Sequence, residues 1–197
     1  MAMYYILDCE EPQTENGEAL MKIGNTFQVG DVWSWKSGQR FDEDEANFEI
    51  PIRIEFEPLR GYDGPPIELL DLGIPVMSER LFRAIEAAGV SNVEWFDVVI
   101  LNTATRQTYP YKAYNVVGLV AAADLSKSEW ESADAKLVGD VSFETLTLDS
   151  SKAKGALLFR LAENVNALLV HGRVRATIEK AEITTLKFIS PEDWVQV

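Results

Sequence analysis

Cysteine and histidine are almost missing from this chain, with one of each, Cys9 and His171, in 197 residues. A single cysteine forms no internal disulfide, and in the alternating run YYILDC (Tyr4 to Cys9) it reads as a small buried apolar residue and not a nucleophile. A single histidine excludes a histidine-pair zinc site, and a Ser-His-Asp triad would have to use His171. No G-x-S-x-G, Walker or dinucleotide-binding glycine pattern is present. GYDGPP (Gly61 to Pro66) lacks the lysine and the helix start that cradling a phosphate requires. Neither redox chemistry nor a bound cofactor or metal is expected. No run reaches the roughly 18 apolar residues of a membrane span. MAMYYILDCEEPQ lacks the basic start and small-residue cleavage site of a secretory leader, so the expected location is the cytoplasm.

Basic residues are scarce as well. The 18 Lys+Arg stand against 32 Asp+Glu, a formal net charge of −14 that repels nucleic acid and anionic membranes. Residues 1–72 hold 16 acidic and 5 basic side chains, so most of the excess belongs to the N-terminal third. It is densest at Asp42, Glu43, Asp44 and Glu45, followed by Glu49, Glu55 and Glu57. One reading of this run is a solvated loop that aids solubility. The other is a docking patch for a basic protein, centred on Asp42 to Glu45 and including Glu49, because like charges gathered on one side speed encounter with a cationic partner. A calcium loop is not among the readings: DEDEANFEI puts Asn47 where the sharp-turn glycine belongs and brings no closing glutamate.

Apolar residues make up 47% of the chain, enough to bury a core in one domain or two small ones. The first third reads as β-structure: MYYILDC, TFQVGDVWSW and NFEIPIRIEFE. In the last, Phe48, Ile50, Ile52, Ile54 and Phe56 alternate with polar residues, the period of a half-buried strand, and Pro51 predicts a sheet edge or a bulge. Trp33 and Trp35 share a face if VWSW is a strand, and such pairs belong to cores more often than to ligand platforms. RGYDGPP reads as the joint between residues 1–72, an acidic β-rich subdomain or the first strands of the same domain, and residues 73–197. Beyond it, NVEWFDVVIL and YKAYNVVGLVAAADL predict a hairpin, Ser126 and Glu129 have capping-box spacing, and VSFETLTLD, GALLFRL and NALLVH predict further strands.

One unit occurs twice. In MSERLFRAIEAAGVSNVEWF, Ser78 is an N-cap candidate, Glu79 suits the positive helix start, Leu81, Phe82, Ile85 and Ala88 form an apolar stripe, and Gly89 ends the helix. A degraded copy lies 93 positions on, placing Arg173 on Arg80, Val174 on Leu81, Ile178 on Ile85, Leu186 on Val93 and Phe188 on Trp95. His171 takes the place of Ser78, where a polar side chain can cap, and Glu182 takes the place of Gly89. Chance likeness between two amphipathic helices is the competing explanation. The predicted fold is α+β: mostly antiparallel sheet, with two short helices from a repeated strand-helix-strand unit laid on a shared sheet.

The Ser-x-x-Leu helix start at Ser78 and Leu81, the strand around Tyr114 and Asn115, LFR at Leu158 to Arg160, and the closing Phe188, Pro191 and Trp194 carry a resemblance over the last two thirds of the chain. It resembles the immunity proteins of bacterial polymorphic toxin systems, a family once known only as a domain of unknown function. It departs from them at Thr185, where the second unit of that family often carries glycine. The resemblance implies a non-enzymatic cytoplasmic protein that binds and neutralises a cognate toxin of the same cell. An acidic face would suit a toxin that is basic because it cuts nucleic acid. Two other readings stay open on the residues alone, a carboxylate-based hydrolase and an adaptor domain for some other protein.

Overall fold

The computed structural model describes residues 3–24, 34–41, 49–132 and 141–194. In chain order the strands are β1 (Tyr4–Cys9), β2 (Met21–Gly24), β3 (Ile52–Pro58), β4 (Leu69–Leu70) and β5 (Val76–Ser78), followed by helix α1 (Glu79–Ala87). Next come β6 (Val93–Asn102), β7 (Thr108–Val116), β8 (Leu119–Val120), β9 (Glu129–Ser132), β10 (Val141–Thr145), β11 (Leu158–Leu161) and β12 (Leu168–His171). Helix α2 (Gly172–Lys180) and β13 (Leu186–Ile189) close the order. One sheet runs β2-β3-β6-β7-β5-β4, a second runs β13-β1-β12-β11-β8, and β9 and β10 form a hairpin of their own. Only the pairs β3–β6 and β8–β11 are parallel among the described strands, so the fold is α+β with mostly antiparallel sheets.

The repeat is real and in register. Helix α2 starts and ends 93 positions after α1, and β13 starts 93 positions after β6. In each copy the two strands flanking the helix lie on either side of one antiparallel strand: β7 between β5 and β6, and β1 between β12 and β13. Because each copy has its own central strand, each builds its own sheet, which corrects the single shared sheet expected above. The helices pack on each other, and Leu81, Ile85, Val174, Ile178, Leu168 and Leu186 join one core. Burying a Leu or Ile fully contributes about 1.5–3 kcal/mol each. The second sheet is buried on both faces: Leu7, Leu158 and Val170 meet that shared core, while Ile6, Phe159, Leu161 and Leu169 meet a second core with Val141 and Phe143 of the hairpin.

The helix ends show what the degraded copy changed. Ser78 Oγ accepts from Leu81 N–H at 3.2 Å, and His171 Nδ1 accepts from Arg173 N–H at 3.0 Å, so both capping positions function. At the far end Gly89 has φ 91°, its N–H reaches Glu86 O, and Val90 N–H reaches Ile85 O, a Schellman ending. Glu182 takes the same left-handed turn without glycine, at φ 56°, with its N–H on Glu179 O. An L-residue in that region carries about 1–2 kcal/mol of strain, against about 0.5–1 kcal/mol of extra chain entropy that a glycine loses on folding. Glu182→Gly should therefore stabilise the fold by about 0.5–1 kcal/mol. Gly89→Ala should destabilise it by about 1 kcal/mol through the backbone alone, since a Cβ there would meet nothing closer than 3.6 Å. Urea unfolding of the two variants checks the pair, and a loss of stability in Glu182→Gly would contradict it.

Four local expectations are corrected. Ser34–Lys36 is a 3-10 turn, not strand, although Trp35 is buried as expected; Trp33 lies outside the described residues. The alternation of β3 begins at Ile52, with Ile52, Ile54 and Phe56 buried, whereas Ile50 is exposed and Phe48 lies outside the described residues. Strand β3 is internal, between β2 and β6, and Pro51 is tolerated because it precedes the strand and leaves every ladder donor in place. Glu129 begins β9 and not a helical turn: Ser126 turns back on Asp124, its N–H and hydroxyl both donating to Oδ1, so the capping-box spacing caps nothing.

Candidate partner-binding surface

Of the residues proposed for docking, Asp42, Glu43, Asp44 and Glu45 lie outside the described residues, and Glu49 is exposed. The flanks of that segment are well defined. On its N-terminal side Glu94 of β6 accepts from Phe41 N–H at 3.0 Å and pairs with Arg40 at 3.1 Å. The Phe41 ring stands edge-on to Trp35 and Phe96, with centroids 4.6 and 5.6 Å away. Buried Asn115 completes this mooring, its Nδ2 donating to Gln39 O at 2.7 Å and to Glu94 at 2.9 Å. On its C-terminal side Ile52 opens β3 opposite Val98 of β6. Phe41 and Ile52, the described residues on either side of this segment, are thus both fastened to β6, at Glu94 and at Val98.

An ionic cluster ties the two sheets together. Arg160 of β11 alternates with the second-core residues Phe159 and Leu161, so its side chain points into the interior between the sheets, where it is wholly buried. Its guanidinium grips the Asp71 carboxylate with two bonds, 2.7 and 2.8 Å, and also donates to Val165 O at 2.9 Å. Tyr114 OH donates to Asp71 at 3.2 Å. Lys36 donates to Asp71 O and to Asn166 Oδ1, both at 2.9 Å, and its ammonium lies 3.4 Å from the same carboxylate. Burial alone would raise the Asp71 carboxyl, but Arg160, Lys36 and Tyr114 outweigh it and hold the carboxyl below the usual range. Burial and the neighbouring Arg160 lower the Lys36 ammonium, against the pull of Asp71. Tyr114 is pushed well up, by burial first and Asp71 second.

A smaller polar group fixes the start of α1. Ser78 hydroxyl donates to buried Glu68, which also accepts from Arg80 Nε at 2.7 Å. Cys9 is buried nearby, and that burial pushes its thiol up, away from the thiolate a nucleophile needs. His171 is engaged at the start of α2.

Sequence reasoning had singled out Tyr114, Asn115 and Arg160 only as family marks, and had missed Asp71 and Lys36. One signal was available: an arginine inside the apolar run GALLFRL, predicted as a strand, needs a buried counter-charge. Among the described residues no helix is long and apolar enough to cross a membrane. A family model described as "Immunity protein family (Imm11)" matches residues 3–193. No curated protein matches the chain.

Proposed function

The chain belongs to the Imm11 immunity protein family, and from that premise we propose that it is a non-enzymatic cytoplasmic protein that binds and neutralises a cognate toxin of a bacterial polymorphic toxin system. The observation that carries the reading is the extent of the family match, which runs through both sheets and both copies of the repeat. Residues 1–72 and 73–197 act in this reading as one body. Strand β1 sits between β12 and β13, and Asp71 is held by Arg160, which supports that view.

The docking surface we assign includes Asp42, Glu43, Asp44, Glu45 and Glu49, and the toxin it fits is basic. Support comes from the net charge of −14, concentrated in this third of the chain, and from the mooring of both flanks on β6. A concentration of one charge sign raises the encounter rate with the opposite sign and is screened by salt. Capture of the large protein encoded by the neighbouring reading frame, with restored growth on co-expression, tests neutralisation itself. Reversing the five carboxylates to lysine should then slow association about 10- to 100-fold at low salt and flatten its salt dependence. An on-rate equal to that of the unaltered protein would remove these residues from the interface.

A further inference from the structure

The β9–β10 hairpin belongs to neither large sheet, and among the described residues its strands pair only with each other. Its inner residues Val141 and Phe143 are buried in the second core. One end of the hairpin is tied by the chain that leads into and out of it, with Thr147 N–H on Ser128 Oγ at 3.0 Å and Asp124 N–H on Thr147 O at 2.8 Å. The other end, where Val141 stands opposite Ser132, is tied by the turn between β11 and β12. There Val141 N–H donates to Glu163 O at 3.1 Å, and Asn164 Nδ2 donates to Val141 O at 2.8 Å.

Glu163 brings to this clasp a side chain that the fold does not satisfy. The residue is 7% exposed, and its Oε2 is buried without a hydrogen-bond partner. An oxygen in that position costs stability whenever the carboxyl is ionised, and a glutamine would fill the same space without the charge. Burial raises the carboxyl above the usual glutamate range, and the N–H groups of Glu163 and Ala123 and the Lys152 ammonium pull it down without cancelling that rise. Lys152 is the one described charged side chain that bears on it, held nearby by Ala123 O at 3.3 Å. Asp124 and Asp149, on the same two stretches, are engaged by Lys127 and by Ser151, and Glu129, Glu131 and Glu144 of the hairpin are exposed. The carbonyl that holds Val141 and the carboxyl that resists ionising belong to one residue, so drawing the carboxylate out to water disturbs the clasp directly.

We propose that Glu163 is a proton-operated latch on the β9–β10 hairpin: neutral, the side chain stays buried and the clasp holds; ionised, it moves to water and frees the Val141 end of the hairpin from the second core. The latch needs no toxin and stands apart from the docking surface assigned above. Its sign follows from the direction of the shift. The closed form keeps the carboxyl neutral where the open form has already ionised it, so closure is fullest at and below the ordinary glutamate pKa of about 4.3 and is lost as pH rises through the raised folded value.

Amide hydrogen exchange on the full chain, corrected for the intrinsic pH dependence of exchange, tests the latch, with the β6–β7 amides as the reference for global unfolding. From the ordinary glutamate value up to the folded one, protection of the β9–β10 amides should fall by up to about tenfold per pH unit and then level off, while the β6–β7 amides keep theirs. Glu163→Gln should abolish the fall. Lys152→Met should extend it to higher pH, which a merely structural role for Glu163 would not do. Carbon-13 NMR should show the Glu163 carboxyl titrating above the ordinary value. A midpoint at or below about 4.3 overturns the proposal. So does an equal pH response of the hairpin in Glu163→Gln and the unaltered chain, and so does a fall that the β6–β7 amides share in full. Should Glu163→Gln fail to fold, the carboxyl midpoint and Lys152→Met decide the question.

Discussion

Asp71→Ala should lower the unfolding free energy by about 3–5 kcal/mol, because it removes the one carboxylate that Arg160 and Lys36 share. Arg160 is wholly buried and Lys36 nearly so, and neither can turn to water when the counter-charge disappears. Tyr114 OH loses its acceptor at the same time. For a domain of ordinary stability, about 5–15 kcal/mol, such a loss is large. Chemical denaturation measures it, and a cost below about 1 kcal/mol would mean that the cluster is far better hydrated than its burial implies. Pairing the change with Arg160→Met separates net worth from mutual dependence: the double variant should recover much of the loss, since an ion pair removed whole costs less than one removed by half. The pH dependence carries a sign. The folded Asp71 carboxyl is held below its unfolded value, so its contribution is full above the ordinary aspartate pKa of about 3.9 and is lost as pH falls through the depressed folded value. The acid limb of stability should be flatter in Asp71→Ala than in the unaltered chain.

The same cluster marks where reading the chain stops being enough. What shows in the sequence is local: the N-cap at Ser78, the apolar stripe of α1, the glycine exit at Gly89, and the shift of 93 that finds them again around α2. Each depends on residues within a turn or two of one another, and the β6–β7 hairpin is legible for the same reason. Pairings that close distant parts are not legible. Nothing near Tyr4 announces that β1 will serve the second repeat as β7 serves the first, and nothing near Leu69 announces that Asp71 will meet Arg160, 89 residues away. A local signal also misleads when its support is missing. Ser126 and Glu129 have the spacing of a capping box, but Trp130 is the only large apolar residue in the four that follow Ser126, too little to bury a helix face, and those residues pair as a strand instead. The acidic run announces charge without partner or geometry; what the structure adds is the mooring on either side, at Phe41 and at Ile52.

Trp35→Ala should cost about 3–5 kcal/mol, the range for removing a large buried aromatic that its surroundings cannot collapse to fill. Trp35 is fully buried, and its ring stands edge-on to Phe41 at 4.6 Å and to Phe96 at 5.5 Å. Those two rings meet each other at 5.6 Å, so removing the indole takes one of the three mutual edge-on contacts from each of them. The 3-10 turn at Ser34–Lys36 is what makes the position demanding. It sends consecutive side chains different ways, the indole into the aromatic cluster and the Lys36 ammonium to Asp71 and Asn166. Trp35→Phe keeps part of the edge-on contact and should cost less than half as much. The consequence reaches the proposed docking segment, because Phe41 is its N-terminal mooring and rests on Trp35. At a temperature where Trp35→Ala is still folded, association with the toxin should be slower than in Trp35→Phe although all five carboxylates remain. Equal association rates in the two variants would show that the Trp35 ring contributes nothing to docking through Phe41.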